Sequence, residues 1–177
     1  IKAKEEGEVN SLRIKVNQTS PRPWTMELLQ KVETVVEKGS TVYVSFEYKI
    51  TAGYSFNFYW QQEVSPWPKL LSLHVSSPVD SWHEVRMAVP VHQTFQPAQT
   101  AFSFHLAEQT GVLELRRLSA VMVPADVNPE TLVTNATPVL GGDFYDKDWR
   151  SIQEARLAKV RQLPVTVSVQ KGGKGLA

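Results

Sequence analysis

Thr41-Val42-Tyr43-Val44-Ser45-Phe46-Glu47-Tyr48-Lys49-Ile50 is a run of regular alternation. Successive side chains of a strand point to opposite faces, so Val42, Val44, Phe46 and Tyr48 share one face while Tyr43, Ser45, Glu47 and Lys49 share the other. β-Branched and aromatic residues suit such a pleated, half-buried surface. The run therefore reads as a strand with one face in a core. Leu12, Ile14 and Val16 alternate with Arg13 and Lys15 in the same way, and similar alternation marks 24–30, 54–61, 71–75, 82–89, 100–106 and 112–121. That makes about eight strands.

Turn residues separate them at Glu37-Lys38-Gly39-Ser40, Thr51-Ala52-Gly53, Ser76-Ser77-Pro78 and Gln109-Thr110-Gly111. With no βαβ rhythm and no internal repeat, the expected class is all-β, a two-sheet jelly-roll β-sandwich. Phe46, Phe56, Phe58, Phe102 and Phe104 lie on regular alternations and are expected in its core.

After Val123 the texture changes. Residues 124–144 carry three Pro, two Gly and three Thr without a sustained period, which reads as a linker crossing a surface. Asp146 or Asp148 then caps an expected helix over about 149–162, with Ile152, Ala155, Val160 and Leu163 as its apolar side and Pro164 as its stop. Val165, Val167 and Val169 alternate as a strand before a turn at Lys171 to Gly175. A terminal strand needs a partner, either in the sandwich or in a second domain. The expected organisation is a sandwich over 1–123, a linker over 124–145, and a helix and strand over 146–177.

Composition removes several function classes. Hydrophobic residues at 42% and charged residues at 21% are values of a globular chain. Nineteen Lys plus Arg, scattered against eighteen Asp plus Glu, give a net charge of +1 and argue against nucleic acid as a partner. No run approaches the ~18 apolar residues of a membrane span, and residues 1–20 lack the apolar stretch of a signal peptide; the chain is expected to be soluble, any signal having been removed. Absence of Cys removes disulfides, thiolate nucleophiles and thiolate metal sites. Two sequons, Asn17-Gln18-Thr19 and Asn135-Ala136-Thr137, would matter only in a eukaryotic secretory pathway.

Catalytic signatures are missing as well. There is no Gly-x-Ser-x-Gly elbow, HExxH helix or phosphate loop, and the glycine-rich end lacks the Ser or Thr and the spacing of the last. His74, His83, His92 and His105 stand apart, without ligand spacing for one metal. Glu27, Glu47, Glu63, Glu84 and Glu114 read as the solvated half of alternating strands rather than as a glycosidase pair. No catalytic residue is assigned.

The aromatic inventory points elsewhere. Five Trp, five Tyr and seven Phe exceed the needs of one sandwich core. Sugars use such an excess: the apolar C–H face of a pyranose packs on an indole or phenol, while its hydroxyls seek Glu, Gln, Asn, Arg or His. Trp24, between Pro23 and an alternation reaching Glu27, either seals the sandwich edge or faces a groove. The segment from Tyr59 to Trp67 interleaves large rings with Gln61, Gln62 and Glu63, and Pro66 and Pro68 hold Trp67 in an extended, exposed loop. Trp82 reads as an edge-sealing core position.

Pro23-Trp24-x-x-Glu27, then Gly39-Ser40-Thr41-x-Tyr43 with the alternation running into Phe46, then Ser81-Trp82, and Phe104-His105-Leu106 before Gly111, together resemble carbohydrate-binding modules of families 4, 9 and 22. The similarity covers roughly 10–123 and rests on order and spacing. It implies a galactose-binding-like jelly roll that binds a β-linked plant polysaccharide, xylan foremost, through Trp24, Glu27 and His105. An aromatic stacking on sugar after the central strand is matched by Trp67 or Trp60, with Tyr59, Gln61 and Gln62 as weaker candidates. Family members often carry a structural calcium. Here Arg116 and Arg117 stand near the place of its aspartate, so no cofactor is expected, although Glu5, Glu6 and Glu8 offer oxygen ligands.

Trp149, Ala155-Arg156-Leu157, Arg161 and Val165-x-Val167-x-Val169 before Gly175 resemble the lead-in to family 10 glycoside hydrolase barrels. That resemblance implies a non-enzymatic binding portion of a xylanase, secreted or at the cell surface, whose catalytic domain lies beyond Ala177. Two other readings stay open: a structural sandwich packing against a catalytic barrel, or one chain of a split hydrolase.

Overall fold

The computed structural model describes residues 11–76, 80–124, 126–141, 170–171 and 174–175. The chain forms two compact units, 1–144 and 145–177. In the first, the strands are β1 (Leu12–Val16), β2 (Glu27–Lys31), β3 (Thr41–Ile50), β4 (Phe56–Gln62), β5 (Lys69–Val75), β6 (His83–Pro90), β7 (Thr100–His105), β8 (Gly111–Met122) and β9 (Val139–Leu140). They make two antiparallel sheets, of order β1-β8-β3-β6 and β2-β7-β4-β5-β9. Among the described residues there is no α-helix, and the architecture is the jelly-roll β-sandwich that the alternation predicts.

The core follows from period two. Along β3, Val42, Val44, Phe46, Tyr48 and Ile50 are buried while the residues between them are half-buried. They meet Phe56, Phe58 and Trp60 of β4 and Phe102 and Phe104 of β7, all buried. Phe46 lies 5.0 Å from Phe58 and 5.4 Å from Phe104, and Phe58 lies 4.8 Å from Phe104, between ring centres. Each such side chain contributes ~1.5–3 kcal/mol by leaving water, so the aromatic seam holds the two sheets together.

Local chemistry shapes the ends of the strands. Pro23 opens a short 3-10 turn over Pro23–Thr25, and β2 begins only at Glu27. Trp24 is thus lifted off the strand, where the alternation alone had it entering one; the fixed φ of proline favours that first turn position.

Residues 126–141 run over the sandwich and are stitched to it. Asn135 imitates a strand on the free edge of β6: its side-chain oxygen accepts from Arg86 N (2.7 Å) and its amide donates to the Glu84 carbonyl (2.8 Å). Tyr43 Oη donates to the Val133 carbonyl (2.7 Å). β9 then extends the second sheet beyond β5, and Gly141 N donates to the Leu70 carbonyl (3.0 Å). A Cβ at Gly141 would fall 1.7 Å from the Lys69 carbonyl oxygen, so only glycine lets the chain approach β5 this closely.

In the second unit, β10 (Gln170–Lys171) pairs antiparallel with β11 (Lys174–Gly175). The expected helix over 149–162, the strand over 165–169 and the glutamates Glu5, Glu6 and Glu8 lie outside the described residues. Among the described residues, no helix is long and apolar enough to cross a membrane.

Candidate functional site

The outer face of the five-stranded sheet carries the polar half of each alternation, aligned by register. Glu27 of β2 pairs with His105 of β7, which pairs with Asn57 of β4, which pairs with His74 of β5. A second row runs Ser103, Tyr59, Ser72, and a third joins Gln61 to Lys69.

Lys69 reaches this face through an irregularity. Trp60 pairs with Leu71 but Gln61 pairs with Lys69, leaving Leu70 as an extra residue in β5. Such a bulge re-aims the residues beside it. Leu70 and Leu71 are both buried, and Lys69 emerges next to Gln61.

Above this face lies a groove of about 590 Å3. Pro23 and Trp24 wall it on the β2 side, Pro66 and Trp67 wall it on the β5 side, and Glu27, Tyr59, Gln61, Lys69 and His105 make its floor. Both indoles are open to solvent, Trp24 at 55% and Trp67 at 53% exposure. Trp67 sits in the loop between β4 and β5, where the Ser65-Pro66 bond is cis and Trp67 N donates to the Val64 carbonyl (2.6 Å). Its φ of 55° is left-handed, which costs a bulky residue ~1–2 kcal/mol. The loop thus holds an exposed indole in a conformation it would not choose, at the rim of the groove.

The floor is hydrogen-bonded throughout. Ser103 Oγ donates to Glu27 Oε1, and His105 Nε2 lies 3.5 Å from the same oxygen. Lys69 Nζ donates to Gln61 Oε1 and sits 4.5 Å from the centre of the Tyr59 ring, while Gln61 Nε2 donates to Glu63 Oε1 (3.2 Å). His105 is wedged against Tyr59, 4.6 Å between ring centres, and Trp24, 6.3 Å away. Burial at 6% exposure, then the Lys69 ammonium, holds the His105 pKa below its ordinary 6.5 against the opposing pull of Glu27. The ring is neutral at pH 7. Burial also depresses the Lys69 pKa, with Glu27 and Glu63 opposing, and burial followed by Glu108 raises that of Tyr59.

The fold therefore brings Trp24, Glu27, Trp67 and His105 into one groove together with two of the weaker candidates, Tyr59 and Gln61, while Gln62 is not part of its lining. Trp60 is a correction: it does not belong with them. It shares parity with Phe56 and Phe58, so its ring enters the core, 0% exposed, 5.5 Å from Phe102 and 6.2 Å from Phe95. Trp82 is half-buried on the other sheet, with the Arg116 guanidinium 3.9 Å above its ring. Arg116 and Arg117 both grip Glu47, at 2.6 and 2.5 Å. Among the described residues no three His, Cys, Asp or Glu side chains cluster for a metal ion. Sequence reasoning missed Lys69. Its signal was the adjacent pair Leu70-Leu71, which breaks the alternation of β5.

No family model matches this chain, and no curated protein matches it. Solved structures do. One described as "CBM4 structure and function", a family 4 carbohydrate-binding module, aligns with a TM-score of 0.56 and 17% identity over 64% of this chain and 71% of the other. One described as "PbXyn10C CBM APO" gives 0.49 and 15% over 71% and 74%. The N-terminal cellulose-binding domain of Cellulomonas fimi β-1,4-glucanase C gives 0.48 and 11% over 64% and 78%. At such identity the likeness to the first is one of fold, the two-sheet jelly roll.

Proposed function

We propose that the groove binds a single chain of a β-linked polysaccharide, with xylan as the first candidate, and that the protein acts by binding and not by catalysis. One observation carries this reading. Two half-exposed indoles flank a groove whose floor is a row of oriented hydrogen-bonding groups, and this is the chemistry a pyranose requires, apolar on its faces and hydroxylated at its edge. Glycoside cleavage needs two carboxyl groups placed ~5–10 Å apart across the scissile bond, and the groove lining contributes one, Glu27.

The jelly-roll fold shared with a carbohydrate-binding module is in keeping with the polysaccharide class, and the order of Trp24, Glu27 and His105, which resembles that of xylan-binding modules, supports xylan. On this reading the protein tethers a glycoside hydrolase to substrate outside the cell, where insoluble polymer is found, and raises the effective concentration of the enzyme there. Stacking on two indoles with solvent-competed hydrogen bonds gives affinities of ~0.01–1 mM for oligosaccharides.

The test is affinity electrophoresis in gels containing xylan, β-glucan or mannan. Retardation by one polymer, strongest for xylan, is expected, and it should vanish in the Trp24→Ala, Trp67→Ala double variant. Equal retardation of a folded double variant would reject the site.

A further inference from the structure

Resting on that reading, we infer that the Trp67 end of the groove takes a carboxylate-bearing sugar, so that the preferred ligand is a polysaccharide with uronic acid units, contacted by Lys69.

The argument starts from an ammonium in an unusual place. Lys69 is turned onto the floor by the β5 bulge and held from behind by the close approach of Gly141. Its Nζ donates to a neutral amide, Gln61 Oε1, and faces the Tyr59 ring. Among the described residues, no carboxylate oxygen lies within 4 Å of it. An ammonium has three donors, so capacity remains toward the groove after the bond to Gln61. A cation drawn partly out of water, hydrogen-bonded to a neutral acceptor and attracted by Glu27 and Glu63 without an ion pair, is incompletely compensated, and burial depresses its pKa more than those carboxylates raise it. A ligand anion restores the missing partner with a charge-assisted hydrogen bond, the stronger kind.

Glu27 does not spoil this arrangement, because the groove is polarised. Glu27 stands on β2 and Lys69 on β5, with β7 and β4 between them, so Glu27, like Glu63, attracts the ammonium across the floor without forming an ion pair with it. Glu27 is engaged by Ser103 and His105 on its own side. Lys69 follows Trp67 by two residues and lies on the floor at the foot of the wall that Trp67 makes. A ring stacked on Trp67 therefore lies beside Lys69, the cation that the groove lining contributes. The adjacent His105 is neutral at pH 7 and adds no positive charge that would spread the preference along the groove.

The experiment is calorimetric titration with two xylo-oligosaccharides of equal length, one neutral and one bearing a glucuronic acid branch, at low and at physiological salt. The native protein should bind the acidic oligomer about tenfold tighter at low salt, with the advantage shrinking as salt rises. Lys69→Met keeps the aliphatic packing on Tyr59 and should reduce the acidic-to-neutral ratio to about one, while Lys69→Arg retains it; melting curves verify that both variants are folded. A ratio near one in the native protein, a ratio that survives Lys69→Met, or equal losses on both oligomers in that variant would each overturn the assignment. If neither oligomer binds the native protein, the polysaccharide reading itself fails, which is a separate result.

Discussion

Trp24→Ala is the sharpest test of the groove, because the structure sets the size of the effect. Trp24 keeps 55% of its surface in solvent, about 130 Å2 for a side chain of this size. A pyranose lying on one indole face covers about half of that, ~65 Å2. At ~25 cal/mol per Å2, its removal costs ~1.6 kcal/mol, about fifteenfold in Kd. Trp67, at 53% exposure, should behave alike. Since both rings are exposed, folding stability should move by no more than about 0.5 kcal/mol in Trp24→Ala. Titration calorimetry with a xylo-oligosaccharide reads the first quantity and urea denaturation the second. Unchanged affinity in a folded Trp24→Ala protein would refute the stacking geometry; a large stability loss would show instead that Trp24 seals the sandwich.

Trp60→Ala should do the opposite, costing ~3–5 kcal/mol of stability because it empties a core site packed against Phe102 and Phe95, with the loss read from the urea midpoint. His105 carries a pKa depressed below 6.5 by burial and Lys69, so its contribution to stability is full above pH 6.5 and is lost as pH falls through the lower folded value. Melting temperature should therefore drop between pH 7.5 and 5 more steeply in the native protein than in His105→Gln; parallel profiles would contradict the burial of a neutral ring. Asn135→Ala removes both bonds to the β6 edge and should cost ~1–2 kcal/mol in chemical denaturation, whereas a neutral outcome would mean that the strap contributes no stability through Asn135.

Much of the fold was legible in the chain because its information is local. Alternation along 41–50 names Val42, Val44, Phe46 and Tyr48 as core without knowledge of any partner strand, and the same holds for Phe56, Phe58, Phe102 and Phe104. Trp67, bracketed by Pro66 and Pro68, was readable as exposed for the same reason, although its backbone is left-handed, φ 55°, and not extended as the flanking prolines suggest. Trp24, Glu27 and His105 came together only by resemblance; no local rule places residue 27 opposite residue 105, which the β2–β7 register does.

Trp60 shows a local signal that the resemblance overrode: its parity with Phe56 and Phe58 already points it into the core. Tyr59 and Trp60 are neighbouring aromatics on opposite faces of β4, and either face accepts a large ring when one packs in a core and the other borders a groove. What the pairing of β4 with β5 and β7 adds is the groove over the opposite face, which puts Tyr59 beside Lys69 and His105. Lys69 is the clearest case. Strict alternation, with Leu71 and Leu73 on the inner face, would turn Lys69 inward, and the bulge at Leu70 reverses it. The sequence by itself determined which residues alternate, and hence that a sandwich forms. The tertiary structure decided which face each strand offers the groove, because a one-residue change of register exchanges the two sides of a strand and is settled only by the core that the sheets bury together.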